Sequence, residues 1–181
     1  QIHMSDASGM GGDELEWSGT LRALEFKRSS EVWNAIDCSA SHMYDFQGCF
    51  HDPDGFDETI RRWNEAVKGK PFISTELCIN SDEFQSPDYR MAFTMGQLYH
   101  KNLVLLDAIA LCYCWTLLNV TQPSFGWTRT LMVPDKQRGF VPTTTSSQLR
   151  VLGAFSRRIR EGMVRVDASS TDPDLLVSAY V

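Results

Sequence analysis

At 181 residues, 43% hydrophobic and 22% charged, the chain has the composition of one ordinary globular domain, which excludes a disordered or fibrous polymer. Its formal net charge of −6 argues against a nucleic-acid partner, because phosphate binding needs a basic face. No apolar run reaches the roughly 18 residues of a membrane-spanning helix, so no membrane partner is expected.

The first residues, Gln1-Ile2-His3-Met4, lack the charged and apolar regions of a signal peptide. Position 1 is not Met, and the natural chain is expected to start elsewhere. Five cysteines is an odd count. Cys112 and Cys114 alternate on one apolar run, where a bridge between them would be strained. There is no CxxC pair and no Cys/His spacing suited to zinc. Buried free thiols are the expectation, and they favour a reducing compartment.

Residues 2 to 6 read as a short strand ending at Asp6, closed by Gly9, Gly11 and Gly12. Asp6 is expected to cap its own loop, although it could line a site. Asp13 and Glu14 suit a helix start, and a helix is predicted over about 14 to 28, interrupted by Gly19. The second half of the stretch from Trp33 to Tyr44 reads as a strand ending His42-x-Tyr44, where alternation puts both rings on one face. A lone strand histidine is most often a core residue. A His and a Tyr together at a strand's end fit a site wall better.

The following loop, His51 to Glu58, is dense in acids but fails the EF-hand spacing, because the last ligand position falls on Arg61. Asp54 or Asp57 is expected as an N-cap for a helix over about 57 to 68, with Ile60, Trp63 and Val67 on its apolar face. Gly69-Lys70-Pro71 then introduces an apolar run, residues 71 to 76, that reads as a buried strand ending Thr75-Glu76. A carboxylate at the C-terminal end of a parallel strand is where α/β barrels carry their chemistry. The competing reading is a strand-end acid that only pairs with a neighbour or faces water.

A mostly buried helix is predicted over about 87 to 102, from Tyr89, Ala92, Phe93, Gly96 and Leu98; residues 103 to 106 continue it or start a new turn. Residues 108 to 118 read as a buried strand ending near Trp115, whose flat ring could stack on a sugar or serve as core. The stretch 119 to 145, with Gln122, Phe125, Trp127 and Pro134, reads as a long loop, a kind of segment that is commonly functional. A last helix is predicted over about 146 to 160, and its closing Arg157, Arg158 and Arg160 suit the helix dipole without any anion. From Met163 to Val181 the pattern alternates, as in two antiparallel strands.

This order of elements, with strands ending His42-x-Tyr44, Thr75-Glu76 and Trp115, followed by Gly153-Ala154-Phe155-Ser156-Arg157-Arg158-Ile159-Arg160-Glu161-Gly162-Met163-Val164-Arg165-Val166, resembles the C-terminal half of a clan A glycoside hydrolase, most closely family 30. The family usually has Pro where this chain has Glu161. The resemblance implies an α/β fold: residues 1 to 160 as units five to eight of a (β/α)8 barrel, and 161 to 181 as the start of a β-sandwich. It implies a retaining glycosidase of β-linked glycans, with Glu76 as nucleophile and Tyr44 hydrogen-bonded to it. Trp115 would stack beneath the sugar, and His42 would form a second wall. Apart from the resemblance, Trp127 is a further candidate sugar contact. No cofactor or metal is implied.

Retaining hydrolysis uses two carboxylates about 5–5.5 Å apart. The family's general acid/base ends strand four, and no residue of this chain matches it. Glu14 and Glu16 lie in the wrong unit. The expected partner is therefore an N-terminal half-barrel or a second copy of the chain, closing the open edges of strands five and eight. By this reading the chain alone does not run as a stable monodisperse 20.5 kDa monomer in gel filtration. The family is secreted or periplasmic, in tension with the thiols. Two alternatives stand beside the enzyme: a non-catalytic carbohydrate-binding remnant using Tyr44, Trp115 and Trp127, and an unrelated α/β domain in which Glu76 is structural.

Overall fold

Four of the apolar runs pair into one parallel sheet. The computed structural model describes residues 1–12, 17–45, 49–79, 89–117, 131–142 and 147–181. Strands β1 (His3–Ala7), β2 (Cys38–His42), β3 (Phe72–Leu77) and β4 (Ala108–Tyr113) lie in the order β1-β2-β3-β4, every neighbouring pair parallel. Sequential parallel strands need crossover connections, and the helical runs between them supply these. The chain divides into two compact units: residues 1–77 with 101–113, and residues 78–100 with 114–181.

In the first unit, helix α1 (Gly19–Phe26) starts where Ser18 accepts a hydrogen bond from the Leu21 N–H. Gly19 does not interrupt a helix, as its propensity suggests; it begins one. A Cβ at Gly19 would lie 2.5 Å from Trp63 Cζ3, so only glycine lets α1 meet that buried ring. Gly19→Ala is expected to destabilise the fold by roughly 1–3 kcal/mol, outweighing about 1 kcal/mol of helix propensity, and a urea midpoint shift measures it. A second short helix, α2 (Ser30–Ala35), occupies a stretch the sequence left unassigned. Ser29 caps it by accepting from the Val32 N–H.

Helix α3 (Phe56–Val67) buries Phe56, Ile60, Trp63 and Val67, the helical spacing read from the sequence. Trp63 meets Phe72 of β3 edge-on at 5.7 Å, which fastens the helix to the sheet. The expected cap is corrected. Asp52 accepts from the Gly55 N–H in a single 3-10 turn, and no side chain caps α3 itself. Asp54 and Asp57 instead bind the buried Lys101 ammonium. Burial alone would lower the pKa of that lysine, but the two carboxylates outweigh it and the net shift is upward. Lys101 opens a π-helical turn, Lys101–Leu105.

Strand β4 is not the buried strand its composition suggests: Ile109, Ala110 and Cys112 are exposed. Among the described residues it pairs on one side only, with β3. The five cysteines are all free, but Cys112 is exposed while the other four are buried.

In the second unit, α4 (Tyr89–His100) presents a different face from the one expected. Met91, Met95, Leu98 and Tyr99 are buried, whereas Tyr89 and Phe93 are 81% and 67% exposed. Helix α5 (Ser147–Ser156) packs on α4 through the Tyr99–Phe155 ring pair at 5.3 Å. Buried Gln148 accepts from the Ile79 N–H and donates to the Ile79 carbonyl, satisfying both backbone groups of that buried residue. The Arg160 guanidinium donates to the Ser156 carbonyl, the helix-end role its position implied. Part of the long 119–145 loop is a hairpin, β5 (Met132–Asp135) with β6 (Gly139–Pro142). Its turn is built by Asp135, whose carboxylate accepts from the N–H groups of Gln137 and Arg138, and by Gly139 at a φ of +78°. The terminal alternation forms a short antiparallel pair, β7 (Arg165–Val166) with β8 (Ala179–Tyr180). Leu175 and Leu176 are exposed outside it, so the second predicted strand is shorter than read. No described helix is long and apolar enough to cross a membrane.

Candidate functional site

The C-terminal ends of β1, β2 and β3 bring together residues far apart in sequence. Parallel strands put all their C-terminal ends at one edge of the sheet, so Asp6, His42, Thr75 and Glu76 share that edge. Glu76 is the register partner of His42. The register slips between Ser41 and His42, and again between Ser5 and Ala7 on β1. Each slip is a bulge that re-aims the residues beyond it.

Asp6 does not cap its own loop. Its Oδ1 accepts a short hydrogen bond from Thr75 Oγ1 and lies 3.3 Å from His42 Nε2. Ser5 and Asp6 have φ values of +80° and +57°, left-handed for two consecutive non-glycine residues. Such backbone costs about 1–3 kcal/mol per residue and persists only where the surroundings over-determine it. Here the bonds to β2 and β3 do so. The Asp6 side chain remains 53% exposed, against 17% for His42.

Tyr44 lies just past β2. Its ring meets His42 edge-on at 5.7 Å and Phe50 at 6.1 Å, and its backbone N–H donates to the Ser8 carbonyl. Glu76 is half-buried, and its carboxylate has no hydrogen-bond or ion-pair partner among the described residues. The Tyr44–Glu76 bond implied by the resemblance is thus not present.

Behind this edge lies Asp45, which sequence reasoning did not single out. Burial pushes its carboxyl up to about 6, against the backbone N–H groups of Gly11 and Met10, which draw it down. Oδ1 accepts from the Gly11 N–H, and Oδ2 is buried without a hydrogen-bond partner. A Cβ at Gly9 would fall 2.8 Å from Oδ1, so that glycine is needed for the loop to close over the acid. The glycine cluster after β1 was the available signal for this contact.

Trp115 belongs to the second unit, where it is 44% exposed. It follows a cis peptide after Cys114, and its carbonyl accepts from the Leu131 N–H. Trp127 lies outside the described residues. No group of three or more His, Cys, Asp or Glu side chains suited to a metal ion occurs among the described residues.

No protein-family model matches the chain, and no curated protein matches it. Solved structures do. A family 30 glycoside hydrolase endoxylanase from Clostridium papyrosolvens is similar over 100% of this chain and 38% of its own, at 18% identity and a TM-score of 0.64. SrfJ from Salmonella typhimurium is similar over 88% of this chain and 34% of its own, at 17% identity and a TM-score of 0.64. The catalytic domain of the family 30 xylanase C from Talaromyces cellulolyticus is similar over 94% of this chain and 35% of its own, at 15% identity and a TM-score of 0.61. The chain spans little more than a third of each. Its four-stranded parallel α/β fold is that of a portion of the family 30 structures, a clan A glycoside hydrolase fold.

Proposed function

We propose that this chain is part of a retaining glycoside hydrolase of β-linked glycans, with Glu76 as its nucleophile. The observation that carries the reading is a half-buried carboxylate, with no hydrogen-bond or ion-pair partner among the described residues, near the C-terminal end of a parallel strand and register-paired with His42, within a family 30-like fold. In this reading, residues 1 to 160 are units five to eight of a (β/α)8 barrel and 161 to 181 begin a β-sandwich. A Glu76 oxygen attacks the anomeric carbon, the bond from that carbon to the leaving oxygen breaks, and a glycosyl ester forms. Water then cleaves the ester. The proton for the leaving group comes from a general acid, to which no residue of this chain is assigned. His42 and Tyr44 wall the sugar. The rest of the barrel is contributed by another segment or by a second copy.

The test is intact mass after incubation with 2-deoxy-2-fluoro glycosides that carry dinitrophenyl leaving groups. These depart as stable anions, so labelling does not wait on the acid/base. Two of the similar structures are xylanases by name, so xylosides belong in the panel beside glucosides and galactosides. Any further segment of the protein should be present. An adduct of one sugar on wild type, absent from Glu76→Gln, is expected. Sugar binding with no adduct would instead favour a non-catalytic carbohydrate-binding role.

A further inference from the structure

The Asp6 contacts join three strand ends at a single atom. Oδ1 accepts a hydrogen bond from the Thr75 hydroxyl and faces His42 Nε2 at 3.3 Å, across 69 and 36 residues of chain. An ionised carboxylate is acceptor-only, so a histidine nitrogen facing it must carry a proton. A neutral imidazole with its proton on Nε2 has Nδ1 as an acceptor. The same carboxylate turns the Thr75 O–H toward itself and leaves the lone pairs of Oγ1 available. Asp6 thereby determines which atoms beside Glu76 donate and which accept.

The backbone supports the same assignment. Two consecutive non-glycine residues in the left-handed region bring the Asp6 carboxylate across to β2 and β3, and the β1–β2 register slips at that point. A strand end that needed only to turn would be easier to build with glycine or asparagine. The sequence uses glycine three times in the loop that follows, at Gly9, Gly11 and Gly12, and not here.

We propose that Asp6 is a positioning residue of the Glu76 site, locking His42 in the Nε2–H tautomer and orienting Thr75 so that the wall beside Glu76 presents acceptors to sugar hydroxyls. Its effect on turnover rests on the glycosidase reading; its effect on the ring does not.

Long-range 15N–1H spectra of protein labelled in its histidines test the tautomer directly. Wild-type His42 is expected to give the Nε2–H pattern, and Asp6→Ala a mixture of tautomers. Asp6→Asn keeps an acceptor oxygen and should restore the wild-type pattern. An Nδ1–H pattern in wild type overturns the proposal without any variant, as does a spectrum unchanged by Asp6→Ala. If Asp6→Ala does not fold, the wild-type pattern decides. Where the wild type turns over an aryl glycoside, Asp6→Ala is expected to lower kcat about 10- to 100-fold, with KM within about threefold, because misorientation taxes the reacting geometry more than binding. Absence of a fluoro-glycoside adduct on wild type with the rest of the barrel present would count against Glu76 as nucleophile while leaving the tautomer result intact. A wild-type tautomer in Asp6→Ala beside an active wild type would sink the Asp6 assignment alone.

Discussion

Glu76→Gln is expected to lower kcat/KM for an activated aryl glycoside by at least about 10³-fold, or about 4 kcal/mol of transition-state stabilisation. The substitution is nearly isosteric, and the Glu76 carboxylate has no hydrogen-bond or ion-pair partner among the described residues to lose. The fold should therefore stay within about 0.5 kcal/mol of wild type. What changes is the nucleophile: an amide oxygen carries too little charge to attack the anomeric carbon and cannot form a stable glycosyl ester. Steady-state kinetics paired with a urea unfolding curve separates the two effects. Activity retained within tenfold would remove Glu76 from the chemistry. A parallel fall in stability would return it to the role of a structural strand-end acid.

The second large effect concerns pH and Asp45. Its carboxyl titrates near 6 in the folded chain, against an ordinary value of 3.8. Between these values the folded state holds a proton that the unfolded state has released, so stability falls as pH rises through this window. The gap of about two pH units corresponds to roughly 3 kcal/mol at about 1.4 kcal/mol per unit. This contribution is present in full below about pH 4 and lost above about pH 6. Other carboxylates run the opposite way: Glu58, bonded to Arg61, and Asp135, held by the N–H groups of its turn, have lowered values. The raw profile sums all of them, so the informative quantity is the difference between wild type and Asp45→Asn. That difference should change by roughly 3 kcal/mol between pH 4 and pH 7, with the wild type losing stability relative to the variant as pH rises. Parallel profiles would mean that Asp45 is better hydrated than its buried setting implies.

Much of the fold was readable because its signals are local. The apolar run 71 to 76 and its Gly-Lys-Pro lead predict β3 to within a residue of Phe72–Leu77, and the Ile60, Trp63, Val67 spacing predicts α3. The features that escaped depend on what lies opposite. Helix α4 carries apolar residues around most of its surface, so composition could not say that Met91 and Met95 would face inward and Phe93 outward. The β5–β6 hairpin has Pro134 within its first strand, which demotes that run in any reading by periodicity.

The site divides along the same line. The sequence by itself placed Glu76 within a residue of the end of a strand and His42 at the end of the one before it, with Tyr44 just past that end, because strand ends follow from runs of neighbouring residues. Only the tertiary structure decided that Asp6 would meet Thr75 and His42 rather than its own loop, and that Asp45 would be buried beneath Gly9 and Gly11. Those pairings depend on two register slips and a left-handed turn of backbone, and a slip of one residue exchanges the faces of every side chain beyond it. No local pattern encodes such a slip. It is selected by the packing of all three strands at once.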